Sequence, residues 1–139
     1  MGCYNKIEIN ASPSAVWDRV SNFHDLSWAP EVVTSVEAVG DKKGNEVGAK
    51  RILNGAIHET LIEHDADNLT FTYSIDDGPG PIAKDAVSDY IGVVKVCAAG
   101  NGTLVEWSST FNSDNEDDVV EFCDPIYQAL LSALKYSMS

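Results

Sequence analysis

The sequence predicts an α+β domain in which a curved, seven-stranded antiparallel sheet wraps around one long C-terminal helix, with two short helices between strands 1 and 2. Three observations carry this prediction. Segments of strand length recur from about residue 32 to residue 112, joined mostly by turn signals too short to hold a crossover helix, so the strands are antiparallel. From Asp114 the apolar period changes, and Val119, Phe122, Cys123, Ile126, Tyr127, Leu130 and Leu134 recur every three or four residues. Residues 10–30 carry helix signals directly after a single strand.

Residues 3–10 read as the first strand, with Asn5, Ile7 and Ile9 on one face and Lys6 and Glu8 on the other. Ser12 is an N-cap and Pro13 the first helical residue, where its missing N–H costs nothing; Val16, Trp17 and Val20 then share one helical face. A shorter helical turn is expected over Phe23–Trp28, ended by Pro30. The second strand covers about 32–39, the Asp41–Asn45 cluster turns the chain, and the third covers about 47–54. Asn54-Gly55 signals a tight hairpin into the fourth strand, about 56–65. In the fifth, Leu69, Phe71, Tyr73 and Ile75 alternate with Thr70, Thr72 and Ser74. Residues 76–81, Asp-Asp-Gly-Pro-Gly-Pro, form a loop, the sixth strand follows over about 86–98, and Asn101-Gly102 is a second hairpin into the seventh, 103–112. The final helix covers about 116–136; its acidic start suits the helix dipole, and Pro125 predicts a kink near 121–125, with Asp124 as a new N-cap.

At 139 residues and 44% hydrophobic content, the chain fits one domain spanning 1–139. No apolar run approaches the roughly 18 residues of a membrane helix, and the N-terminus lacks signal-peptide character, so the expected location is cytoplasmic, without membrane insertion. A net charge of −13 repels phosphate backbones and excludes nucleic acid as a partner. Cys3, Cys97 and Cys123 have no metal or disulfide spacing, and His24, His58 and His64 are scattered, so no metal site is expected. No Gly-x-Ser-x-Gly, Walker or dinucleotide pattern occurs, and no cofactor is called for.

Residues 5–137 resemble the START-like, or helix-grip, superfamily, which includes polyketide cyclases, the birch-pollen allergen family and the abscisic-acid receptors. The resemblance rests on Ala11–Val20, Trp28-Ala29-Pro30, Val47–Arg51, Glu59-Thr60-Leu61 with Asp65, and Val105–Phe111, and it is strongest to small polyketide cyclase/dehydrase-like proteins. It implies a ligand cavity between sheet and final helix, a glutamate at the position of Glu59 lining it, and Trp28 at its mouth. It specifies fold better than chemistry, because the superfamily hosts carriers, receptors, enzymes and chaperone cofactors. The connection at Asn54-Gly55 is too short for the receptors' gating loop, which leaves the Gly78–Pro81 loop as the lid candidate.

Strand parity puts Glu59 on the same face as Ile57 and Leu61. A carboxylate among apolar neighbours suits proton transfer or the holding of a polar ligand group; its alternative is a structural ion pair with Arg51. Tyr73, Tyr90, Trp107 and Tyr127 add polar tips to apolar bodies, and Tyr90 has room beside it at Gly92. Leu53, Ile75, Ser109, Phe111, Phe122, Ile126 and Leu130 complete the expected ligand-binding set. The favoured function is binding of a small apolar or aromatic molecule by a monomer or weak homodimer. The alternatives are a cofactor-independent cyclase or dehydratase in which Glu59 shuttles a proton, Tyr90 orients a carbonyl or hydroxyl and Arg51 stabilises charge, and a chaperone-cofactor-like interaction module.

Overall fold

The structure, a computed structural model, describes residues 2–139. Its strands are β1 (Gly2–Ile9), β2 (Val36–Val39), β3 (Lys50–Leu53), β4 (Ile57–Asp65), β5 (Thr70–Asp77), β6 (Ser88–Ala99) and β7 (Gly102–Asn112), with helices α1 (Pro13–Val20) and α2 (Glu116–Ser137). The strands form one antiparallel sheet in the order β1-β7-β6-β5-β4-β3-β2. Successive strands from β2 to β7 are neighbours, as short turns require, and β1 completes the sheet by pairing with β7.

Helix α1 begins as its residues dictate: the Ser12 Oγ accepts from the Ala15 N–H at 3.2 Å, and Val16, Trp17 and Val20 are buried. Only this one helix lies between β1 and β2; the second, expected over Phe23–Trp28, is a series of turns. The reason is local competition. The Asn22 side chain accepts from the His24 N–H, Asp25 Oδ1 accepts from both the N–H and hydroxyl of Ser27, and the Phe23 N–H goes to the Gly44 carbonyl. Strand β2 starts four residues later than expected because the Thr34 and Ser35 amides donate to the Asn54 side chain instead of a sheet partner.

Asn54 and Gly55 both take positive φ, 55° and 67°, as the β3–β4 hairpin signal demands. In the β6–β7 hairpin the turn lies one residue earlier than expected, at Gly100-Asn101, because Gly102 already pairs with Ala99. Helix α2 runs unbroken through Pro125, and Asp124 serves as an acceptor for the Asn5 amide at 2.9 Å, which ties α2 to β1. The core lies between the inner face of the sheet and the helices, where Val16, Leu61, Val105 and Val119 are wholly buried. Among the described residues no helix is long and apolar enough to cross a membrane.

Candidate functional site

Between the sheet and α2 lies a cavity of about 40 Å³. Its floor comes from strand residues of alternating parity: Arg51 and Leu53 on β3, Ile57 and Glu59 on β4, Tyr73 and Ile75 on β5, and Trp107 on β7. Its roof is one face of α2, on which Phe122, Cys123, Ile126, Tyr127 and Leu130 follow helical spacing. Ile57, Ile75, Phe122 and Ile126 are only half-buried, which locates the mouth between the β4 and β5 ends and the first half of α2. Ile82, from the 3-10 turn Gly80–Ile82, closes that side and is 1% exposed.

Two polar constellations interrupt this apolar wall. In the first, Arg51 Nε donates to Glu59 Oε1 at 2.7 Å, Nη2 makes an ion-pair contact with the same oxygen at 2.6 Å, and Arg51 Nη1 donates to the Phe23 carbonyl at 2.7 Å. The guanidinium carbon sits 3.8 Å from the centroid of the Phe23 ring. Both side chains are almost fully buried, and burial pushes the Glu59 carboxyl above its usual range against the opposing pull of Arg51. In the second, Trp107 Nε1 donates to the Tyr73 hydroxyl at 2.9 Å, the Tyr73 hydroxyl lies 3.1 Å from that of Tyr127, and Tyr127 in turn bonds the hydroxyl of Tyr90. Burial raises all three phenols above their ordinary value, so they are neutral hydrogen-bonding tips.

The structure brings together most of the residues singled out in the sequence. Arg51, Leu53, Ile57, Glu59, Tyr73, Ile75, Trp107, Phe122, Ile126, Tyr127 and Leu130 all line the cavity. Five others lie elsewhere. Tyr90 stands behind Tyr127, stacked on Phe111 at 5.5 Å, and the room expected beside it at Gly92 is occupied by Tyr73, to whose ring carbon a Cβ on Gly92 would approach within 2.3 Å. Leu61 is buried beneath the wall, and Ser109 accepts from the Cys3 N–H. Trp28 is buried with its indole N–H on the Asp25 carbonyl, facing α1 and the end of α2. Leu26, Ile82 and Cys123 line the cavity without having been anticipated. Cys123 was legible as a member of the α2 apolar stripe, whereas Leu26 and Ile82 sit in irregular segments where no periodicity says which way a side chain points.

An aromatic and hydrophobic cluster thus surrounds a cavity suited to a small hydrophobic or aromatic ligand. The family described as "Polyketide cyclase / dehydrase and lipid transport" matches residues 4–138. A solved protein from Nitrosospira multiformis is 35% identical with a TM-score of 0.96, covering 100% of this chain and 97% of that one. The Bacillus cereus protein XoxI is 27% identical with a TM-score of 0.82, covering 99% and 94%. The crystal structure of Ara h 8.0201, 17% identical with a TM-score of 0.79 over 99% and 97% of the two chains, shares the fold. No curated protein matches the sequence. With nearly its whole length matched, and with the sheet, helix and enclosed cavity of a helix-grip protein, the chain belongs to the polyketide cyclase/dehydrase and lipid transport family.

Proposed function

We propose that this protein binds a small, mainly apolar or aromatic molecule in the cavity between the sheet and α2. The observation that carries the reading is the composition of the wall: aliphatic and aromatic side chains with a few convergent polar tips, which is how binding sites orient apolar ligands. At about 40 Å³ the cavity is far smaller than the roughly 300 Å³ at the low end for ligand pockets, so occupancy requires the half-buried side chains at the mouth to move outward. Native mass spectrometry of the purified protein tests this directly. A co-purifying small molecule, or saturable uptake of an added aromatic, is expected; a protein that stays empty against a broad panel of apolar compounds overturns the reading.

The buried Arg51–Glu59 pair favours a second reading, a cofactor-independent cyclase or dehydratase in which Glu59 moves a proton. In that case Tyr73, 5.7 Å from Arg51 by its ring centroid, is the phenol beside the pair, with Tyr90 one hydroxyl further back through Tyr127. Glu59→Gln separates the two. Loss of about 100-fold or more in rate with binding retained marks a general base, whereas an affinity change alone marks a binding protein. The net charge of −13 opposes close association of copies, which supports a monomer or weak homodimer.

A further inference from the structure

The polar groups of the cavity differ in what they have left to offer a ligand. All three nitrogens of Arg51 are engaged within the fold, two on Glu59 Oε1 and one on the Phe23 carbonyl, and one face of the guanidinium lies over the Phe23 ring. The phenols of Tyr73 and Tyr127 are each joined to two partners: Trp107 and Tyr127 for the first, Tyr73 and Tyr90 for the second. Glu59 is different. Both contacts from Arg51 fall on Oε1, and among the described residues Oε2 accepts no hydrogen bond, while no fully buried polar atom is left without a partner, so Oε2 keeps accessible area. The open capacity in the wall is therefore that of an acceptor.

We infer that the cavity selects an uncharged ligand bearing a hydroxyl or other hydrogen-bond donor, held on Glu59 Oε2, and turns away carboxylates of the same size. An incoming carboxylate meets the Glu59 carboxyl in an apolar surround and finds the one nearby guanidinium already occupied. The whole molecule adds to the discrimination, because a surface carrying −13 lowers the local concentration of anions. A donor placed on Oε2 completes the carboxyl's hydrogen bonding within a mostly apolar wall, which gives selectivity against an isostere lacking the donor.

This inference rests on the binding reading above, and three matched probes separate the two: 4-methylphenol, 4-methylbenzoate and p-xylene, titrated into the wild-type protein at pH 7 while the indole N–H of Trp107 is followed by NMR. The expected order is 4-methylphenol first, p-xylene about ten- to hundred-fold weaker, and 4-methylbenzoate weakest. In Glu59→Gln the gap between 4-methylphenol and p-xylene shrinks to a few-fold and 4-methylbenzoate gains, because Arg51 then carries an uncompensated charge. Binding of 4-methylbenzoate as tight as that of 4-methylphenol, or equal binding of 4-methylphenol and p-xylene, overturns the selectivity and leaves the binding reading standing. If none of the three perturbs the wild-type cavity, the selectivity inference fails, and the binding reading fails with it when the broad panel of apolar compounds is refused as well.

Discussion

Removing Arg51 alone strands the Glu59 carboxyl in an apolar wall, because it takes away both the hydrogen bond that carboxyl accepts and its ion-pair partner. Arg51→Met should destabilise the fold by about 3 to 5 kcal/mol, whereas the double variant Arg51→Met/Glu59→Leu should recover most of that loss, since the desolvation of both charges disappears together. Urea denaturation of the two variants beside the wild type checks this, and a double variant no better than the single one would argue for a packing role of the arginine stem. Tyr127 is the middle of the phenol chain, so Tyr127→Phe takes the Tyr127 partner from the Tyr90 hydroxyl and leaves that of Tyr73 with Trp107 alone, at a cost of about 1 to 3 kcal/mol. Tyr90→Phe, at the end of the chain, should cost less in the same assay. At this scale the sequence was readable where a side chain sits on a regular strand: alternation alone turned Glu59 inward with Ile57 and Leu61. It could not say that Tyr90 lies behind Tyr127, since that depends on which rotamer fills the space over Gly92, a matter settled across strands and invisible along one.

Strands β5 and β6 meet at Tyr73 and Gly92, which are direct register partners, and the absence of a side chain on Gly92 lets the phenol ring lie flat across its neighbour. Gly92→Ala places a carbon 2.3 Å from that ring, so Tyr73 must leave its seat and lose Trp107 and Tyr127 together. Destabilisation of about 3 kcal/mol or more is expected, with a shift of the Trp107 indole resonance as its local signature. On the opposite wall Leu130 is 4% exposed, so Leu130→Ala should cost about 2 to 4 kcal/mol while enlarging the cavity, and the same variant should take up bulkier aromatics. The loop after β5 carries its own anchors: Asp77 Oδ1 accepts from the Lys84 and Gly78 amides at 3.0 and 2.9 Å, and these bonds hold the Asp77 carboxyl below the usual range. Asp77→Ala should therefore speed amide exchange at Lys84 and loosen the seat of Ile82, observable by hydrogen exchange. Regular elements were legible from period and turn chemistry. The missing second helix was not, because the Asn22 and Asp25 side chains that cap local turns look, in sequence, equally able to start a helix.

Across the whole molecule, burial gathers groups that prefer to stay protonated. The Cys3 thiol is pushed up from 9.0 to about 11, and Cys123 and the phenols of Tyr73, Tyr90 and Tyr127 are raised as well. In the unfolded chain these groups release protons near 9 for thiols and 10 for phenols, while the folded chain still holds them, so the unfolded state binds fewer protons and stability falls as pH rises. The contribution is complete below about pH 9 and is lost progressively through about pH 11 for Cys3. Urea midpoints should thus decline steadily between those values; a flat profile would mean that water reaches the buried hydroxyls.

The pairing of β1 with β7 joins residues far apart in the chain: the Cys3 amide meets the Ser109 hydroxyl across 106 positions. A ribosome releases β1 about a hundred residues before its partner, so at ordinary elongation rates that strand waits on the order of 5 to 20 s with its edge unpaired. Strands β2 to β7 can meanwhile zip in order of their emergence, each onto the one before it. Closure of the sheet, and with it the anchoring of α2 through Asn5 and Asp124, therefore waits for β7 and α2 to emerge, and the cavity exists only after both have cleared the exit tunnel.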